Sequence, residues 1–116
     1  MITKFKIYEN LEFNKKNNIE VGNYIIINFT DEYSLMSEKT KDFISTNIGQ
    51  IVEIVPYNTD SFYVKYENIP KDIKRSFFTD KICININHIN KLVRIIGISK
   101  NKKDLEYIIV SKNYNL

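Results

Sequence analysis

The sequence predicts a mainly β, α+β fold, and three observations carry the prediction. Short stretches rich in isoleucine, tyrosine and phenylalanine recur along the chain, and these residue types suit a pleated, half-buried surface. Within the stretches apolar and polar residues alternate, which places successive side chains on opposite faces of a sheet. The chain has only three glycines, and two of them, Gly22 and Gly49, head the most strand-like runs, VGNYIIINF and IGQIVEIVP.

The elements follow in chain order. Residues 1–18 join KFKIYENLEF, in which Phe5 and Ile7 alternate with Lys4 and Lys6, to a polar NKKNN; an N-terminal arm or extra strand is expected there. From Val21 the first strand sets Val21, Ile25, Ile27 and Phe29 on one face. The alternation is lost over 30–47, where Asp31 and Ser34 can cap a helix start and Met36, Phe43 and Ile44 fit one helical side. A long loop with a helical insert is predicted. Residues 48–55 make the second strand, with Val52 and Ile54 sharing a face, and Pro56 ends its ladder for want of an N–H.

YNTD supplies turn residues, and SFYVKYEN returns as the other arm of a hairpin. Phe62, Val64 and Tyr66 fall on one side of that arm, Tyr63 and Lys65 on the other. IPKDIKRSFF, with a proline near its start and Ile73 four residues before Phe77, fits one or two helical turns. KICININHIN alternates Ile82, Ile84 and Ile86 against Cys83, Asn85 and Asn87, and LVRIIGIS is a further strand. The end of the chain opens on Ser99 or Asn101 as a cap and carries Leu105, Ile108 and Ile109 at helical spacing. A C-terminal helix within 99–116 is predicted, with a strand at EYIIV as the competing reading.

At 116 residues with 43% apolar content the chain fits one domain with one core, since single cores usually occupy ~100–150 residues. A lone cysteine, Cys83, excludes an internal disulfide and a multi-cysteine zinc site. No apolar run approaches the ~20 residues of a membrane span, and the N-terminus has no continuous apolar segment of the secretory kind. A soluble, cytoplasmic protein is expected. The net charge of +3 is weak evidence for a nucleic-acid partner. Alanine is absent, arginine occurs only as Arg75 and Arg94, and isoleucine, asparagine and lysine abound. That bias follows AT-rich codons, and 14 acidic residues lie interspersed among the 17 basic ones.

The order of strand, long loop, hairpin, short helical turn and final strands resembles the SH3-like small barrel, the group that includes KOW and Tudor-type modules. The matching residues are Val21-Gly22-Asn23-Tyr24-Ile25, against an opening V-G-D-x-V, and Ile48-Gly49-Gln50-Ile51-Val52-Glu53-Ile54, against I-G-x-I-V-x-I. Asn23 replaces the usual Asp and keeps a turn-forming side chain. The resemblance covers roughly residues 20–98. It implies a five-stranded antiparallel barrel over 19–98, with glycines at corners where a Cβ would block a bend or a close approach. A C-terminal helix packed on that barrel completes the expected fold. The whole chain is also similar to small proteins of AT-rich tailed phages. It shares their KFKIYEN-like start, the YENIP segment at 66–70 and SKNKKDLE at 99–106. That second resemblance implies no particular activity.

No catalytic constellation emerges, and an enzyme is not expected. Cys83 and the sole histidine, His88, stand five apart on one predicted strand and project to opposite faces, whereas a thiolate–imidazole pair needs hydrogen-bonding contact. One histidine and one cysteine cannot supply a zinc site, and neither G-x-x-x-x-G-K-[ST] nor G-x-G-x-x-G is present. No cofactor or metal is expected. Binding needs only a surface. The open groove between the long first loop and the hairpin tip would present Tyr33, Tyr57, Phe62 and Tyr63, a candidate protein-binding surface. The alternative is a nucleic-acid-binding face built from Lys65, Lys71, Lys74, Arg75, Lys91 and Arg94, with neighbouring aromatics to stack on bases. Tyrosine is also an ordinary strand residue that keeps one end wet. Protein–protein contact is the first expectation, as for a phage accessory factor.

Overall fold

A computed structural model describes residues 19–55 and 61–113. Among them the chain forms five antiparallel strands in one open sheet, and two helices. The strands are β1 (Tyr24–Phe29), β2 (Gly49–Val55), β3 (Ser61–Lys65), β4 (Lys81–Asn85) and β5 (Val93–Ser99), in the spatial order β4-β3-β2-β1-β5. Helix α1 (Glu38–Ser45) lies between β1 and β2, and α2 (Lys103–Asn113) follows β5. The expected arm at 1–18 and the hairpin tip at 56–60 lie outside the described residues.

The sheet is not a closed barrel. β4 and β5 are its two edges and do not pair with each other. The reason lies in the connection between them. Asn85 Oδ1 accepts from the Asn87 N–H (2.8 Å), which turns the chain out of β4 into a 3-10 turn, Ile86–His88. Asn90, at φ 70°, then sends its N–H to the Val93 carbonyl (2.7 Å). The chain thus folds back on the first residue of β5 and does not carry β4 alongside it. β1 and β2 are staggered: they pair at Tyr24 with Gln50 and Ile25 with Gly49, and the contact continues before β1 through backbone bonds of Gly22 and Asn23 with Ile51 (2.7 and 2.8 Å).

The isoleucine pattern explains the core. Ile25 and Ile27 of β1, Ile51 of β2, Phe62 and Val64 of β3, and Ile82 and Ile84 of β4 all turn to one face and are buried. Ile86, Ile44, Ile73 and Phe77 close over them. The face predicted for β2 is off by one step. Ile51 pairs with Val64 and Glu53 with Tyr63, so Val52 is the extra residue of a bulge, and Ile51 and Ile54 turn inward. Val21 does not extend the β1 face, being exposed in the turn that precedes the strand. Ile26, on the other side of β1, is buried as well. It stands opposite Gly97 of β5, where the missing side chain leaves room for Leu105 and Ile108 of α2. A strand covered on both faces reads as a continuous apolar run, and β1 is YIIINF.

The helical insert begins later than its residues suggested. Neither Asp31 nor Ser34 caps it. Ser37 does, with its hydroxyl accepting the Thr40 N–H (3.2 Å), and Thr40 is itself buried against Ser76 (3.2 Å between hydroxyls). Met36 packs on the core from the segment before the helix, while Phe43 and Ile44 do so from within it. Lys39 pairs with Asp72, tying the helix to the segment between β3 and β4. That segment carries the predicted helical turn, reduced to a 3-10 turn at Lys74–Ser76.

The two glycines act by different means. Gly22 sits in a turn at φ +98°, closed by the Asn23 N–H to the Glu20 carbonyl (3.1 Å), with open space where a Cβ would go. Gly49 has an ordinary backbone, but a Cβ there would overlap the Val64 Cγ1 and stand 2.8 Å from Tyr66 Cζ. Tyr66 lies across that notch, edge-on to Phe43 (5.9 Å between ring centroids) and Phe77 (6.1 Å), which meet each other at 6.0 Å. Its hydroxyl is fully buried and has no hydrogen-bond partner among the described residues.

Two outcomes are expected. Gly49→Ala destabilises by about 1–3 kcal/mol through overpacking of Tyr66 and Val64, while Gly22→Ala costs about 1–2 kcal/mol through backbone strain alone. Urea unfolding gives the two costs, and NMR of the Tyr66 ring in the folded variants separates them, since only the first disturbs the ring. Burial holds the Tyr66 phenol far above its ordinary value. Its contribution to stability is therefore complete below about pH 10, where an unfolded tyrosine is still neutral. It is lost progressively as pH rises beyond that, because the unfolded state releases a proton that the folded state keeps. Tyr66→Phe should flatten this alkaline descent in denaturant melts. At neutral pH it should leave stability unchanged or raise it by up to about 1 kcal/mol, since the hydroxyl it removes is unpartnered.

Candidate binding groove

Tyr24 with Ser99, Gln50 with Lys65, and Lys65 with Lys81 lie at one level, the Tyr24 end of β1. From that level β1 runs one way, to Phe29 opposite Val93, and β2 the other way, to Val55 opposite Ser61, with Asn85 beside it on β4. The sheet curls so that these outlying ends face each other across a groove of about 260 Å³. Phe29 and Val93 form one wall, Ser61, Tyr63, Cys83, Ile84 and Asn85 the other, and Tyr33 and His88 stand over it.

Each contributor is held by local chemistry. The Tyr33 N–H donates to the Thr30 carbonyl (3.0 Å), so the chain doubles back as β1 ends, and the Tyr33 ring lies on Phe29 with centroids 4.7 Å apart. Burial, and secondly the nearby Cys83 thiol, push the Tyr33 hydroxyl above its ordinary value. Tyr63 is cross-strand partner to Cys83, and its ring lies 5.6 Å from the Lys81 ammonium, a cation–π arrangement. The His88 carbonyl accepts N–H groups from Leu92 (2.9 Å) and Lys91 (3.1 Å), which fixes the 3-10 turn over the groove.

Four of the expected aromatic positions thus fare differently. Tyr33 and Tyr63, thirty positions apart in the chain, come together in one concavity. Phe62 does not join them. It is 0% exposed, because it shares the inward face with Val64 and Tyr66, so it belongs to the core. Tyr57 lies outside the described residues.

Cys83 and His88 line the same groove, contrary to the opposite-face expectation. The Asn85 turn ends the strand after two residues of that interval and resets the alternation. No hydrogen bond joins the pair among the described residues. The Asn85-x-Asn87 spacing was the available signal, since asparagine side chains commonly bond the backbone two residues on.

The six basic residues are exposed but do not form one face. Lys65 is at the Tyr24 end, from which Lys71, Lys74 and Arg75 also depart, whereas Arg94 pairs with Asn28 near the groove end and Lys91 precedes it. A larger hollow of about 500 Å³ lies at the Tyr24 end, between α2 and the strand termini. Its charges balance in sign, Lys65 and Lys102 against Glu67 and Glu106. Among the described residues no helix is long and apolar enough to cross a membrane, and no three His, Cys, Asp or Glu gather as metal ligands.

Comparison of the chain with protein-family models, curated proteins and solved structures returns no match. The groove's residues therefore supply the functional argument by themselves.

Cys83→Ser should lower the Tyr33 ionisation midpoint toward that of a free tyrosine without reaching it, because burial is the larger cause and remains. Carbon-13 NMR of labelled tyrosine through an alkaline titration reads this directly.

Proposed function

We propose that this protein is a non-catalytic, SH3-like binding module that recognises another protein through the groove between Tyr33 and Tyr63. The observation that carries the reading is the convergence of those two rings, from the first loop and from β3, beside the polar edges of Ser61, Asn85 and His88. An aromatic body with a polar tip suits protein contacts, where tyrosine supplies area at low entropic cost. At about 260 Å³ the groove falls below the ~300–1,000 Å³ usual for small-molecule sites, and it fits one or two side chains of an extended segment.

The strand order, the long first loop and the 3-10 turn between β4 and β5 support kinship with the small barrels, here opened along the β4–β5 seam. A nucleophile without a hydrogen-bonded base argues against chemistry at Cys83. The AT-rich composition and the likeness to tailed-phage proteins favour a role as an accessory factor in the host cytoplasm, meeting a host or phage protein there.

A displayed library of short peptides tests the reading. Selected binders should lose at least about tenfold in affinity on Tyr63→Ala, measured by isothermal calorimetry, and keep full affinity on Arg75→Glu at the far end of the sheet. Selected binders indifferent to both Tyr33→Ala and Tyr63→Ala would overturn it.

A further inference from the structure

We propose a second site, independent of the groove: the segment 66–80, which joins β3 to β4, binds single-stranded nucleic acid by stacking a base on Phe78 while nearby cations meet its phosphates. The segment is two-sided. Tyr66, Ile73 and Phe77 point into the core, while Lys71, Lys74 and Arg75 are exposed and Phe78 is 73% exposed. A phenylalanine this open, next in sequence to a buried one, is not explained by packing.

The backbone that carries the ring is also fixed. Phe78 and Lys81 exchange N–H···O bonds (2.9 and 3.0 Å) around a two-residue turn. Both turn residues lie in the left-handed region, Thr79 at φ 47° and Asp80 at φ 63°. That turn ordinarily takes asparagine and glycine, and a β-branched threonine there is unfavourable. The surroundings impose it, in part through the Tyr66 N–H, which donates to the Asp80 carbonyl (2.9 Å). Conformations of this kind concentrate at functional positions.

The charge of the segment and of the strand residues that flank it points to a polyanion. Asp72, the acid between Lys71 and Lys74, is already engaged by Lys39. Lys65 and Lys81 stand directly opposite each other across the β3–β4 ladder, with the Lys81 ammonium over the Tyr63 ring, and like charges in that register favour a nearby anion. Among the described residues no carboxylate lies within ion-pair distance of Lys65, Lys71, Lys74, Arg75 or Lys81. The remaining acids of the segment, Glu67 and Asp80, are fewer than these cations. A nucleic acid strand satisfies both features, since its phosphates answer the cations and every base offers a face to an aromatic ring. An acidic peptide answers only the first.

Fluorescence anisotropy with a labelled single-stranded oligonucleotide of roughly 16 nucleotides, over a series of salt concentrations, tests the proposal. Binding at low salt, weakening linearly in log–log form as salt rises, is expected. Phe78→Ala should weaken it about 5- to 150-fold and Phe78→Tyr should largely restore it. Lys74→Glu with Arg75→Glu should weaken it and reduce the salt slope, while Tyr33→Ala in the groove and Lys91→Glu at the far end should leave it as in the wild type. Three results would overturn the site: no binding at low salt, binding indifferent to Phe78→Ala, or equal loss with Lys91→Glu. A fourth would transfer the patch to membranes, namely Phe78-dependent binding to phosphatidylserine vesicles with none to the oligonucleotide. Circular dichroism of each variant keeps loss of fold apart from loss of contact, and the intact groove variant keeps the two sites' fates separate.

Discussion

The close approach of Tyr66 and Val64 to the first residue of β2 organises this protein. A single methyl group at Gly49 would overlap Val64 and crowd the Tyr66 ring. Without it the ring crosses the strand and meets Phe43 from the helical insert and Phe77 from the segment beyond β3. Three parts of the chain that share no strand pairing are thereby gathered over one side of the sheet. The arrangement is dense enough to bury a phenolic hydroxyl with no partner, a cost that a well-packed aromatic cluster can offset at about 0.5–1.5 kcal/mol per ring pair.

From this cluster the sheet opens in a definite direction. β1 runs from the Gly49 rung toward Phe29, and the hollow there lies between the Phe29 and Val93 ends of β1 and β5 and the facing residues of β3 and β4. The molecule consequently separates its surface chemistry. Aromatic rings with short polar groups gather where the ends of β1 and β5 face β3 and β4, and the denser cations belong to the excursion between β3 and β4. The coiled sheet keeps these two environments apart without any second domain.

Much of the fold was legible because the physics involved is periodic. Phe62, Val64 and Tyr66, and likewise Ile82, Ile84 and Ile86, fall on one side by simple alternation, and all are buried. The C-terminal helix followed from Leu105 and Ile108 at helical spacing, and Gly49 from the need for a close approach. What escaped was whatever interrupts a period. The Val52 bulge shifts β2 by one step, and the Asn85 turn brings Cys83 and His88 to the same hollow. Closure of the barrel failed for a related reason, since a short β4–β5 connection full of local backbone bonds leaves the edge strands unpaired. Of the groove, Tyr33 and Tyr63 were readable as wet-ended aromatics near loops, whereas Phe62 was misassigned even though its own alternation already placed it inside. Phe78 carried no signal, because a buried and an exposed phenylalanine side by side look alike in a sequence.

The notch at Gly97 gives the molecule two apolar interiors of unequal standing. Ile26, Leu105 and Ile108 meet on the outer side of the sheet, away from the cluster formed by the inward isoleucines. Detaching α2 would expose Ile26 while leaving that larger cluster sealed, so the helix and the sheet need not melt as one cooperative unit. Amide hydrogen exchange would then show two tiers of protection, the helix opening at lower free energy than the strands it covers.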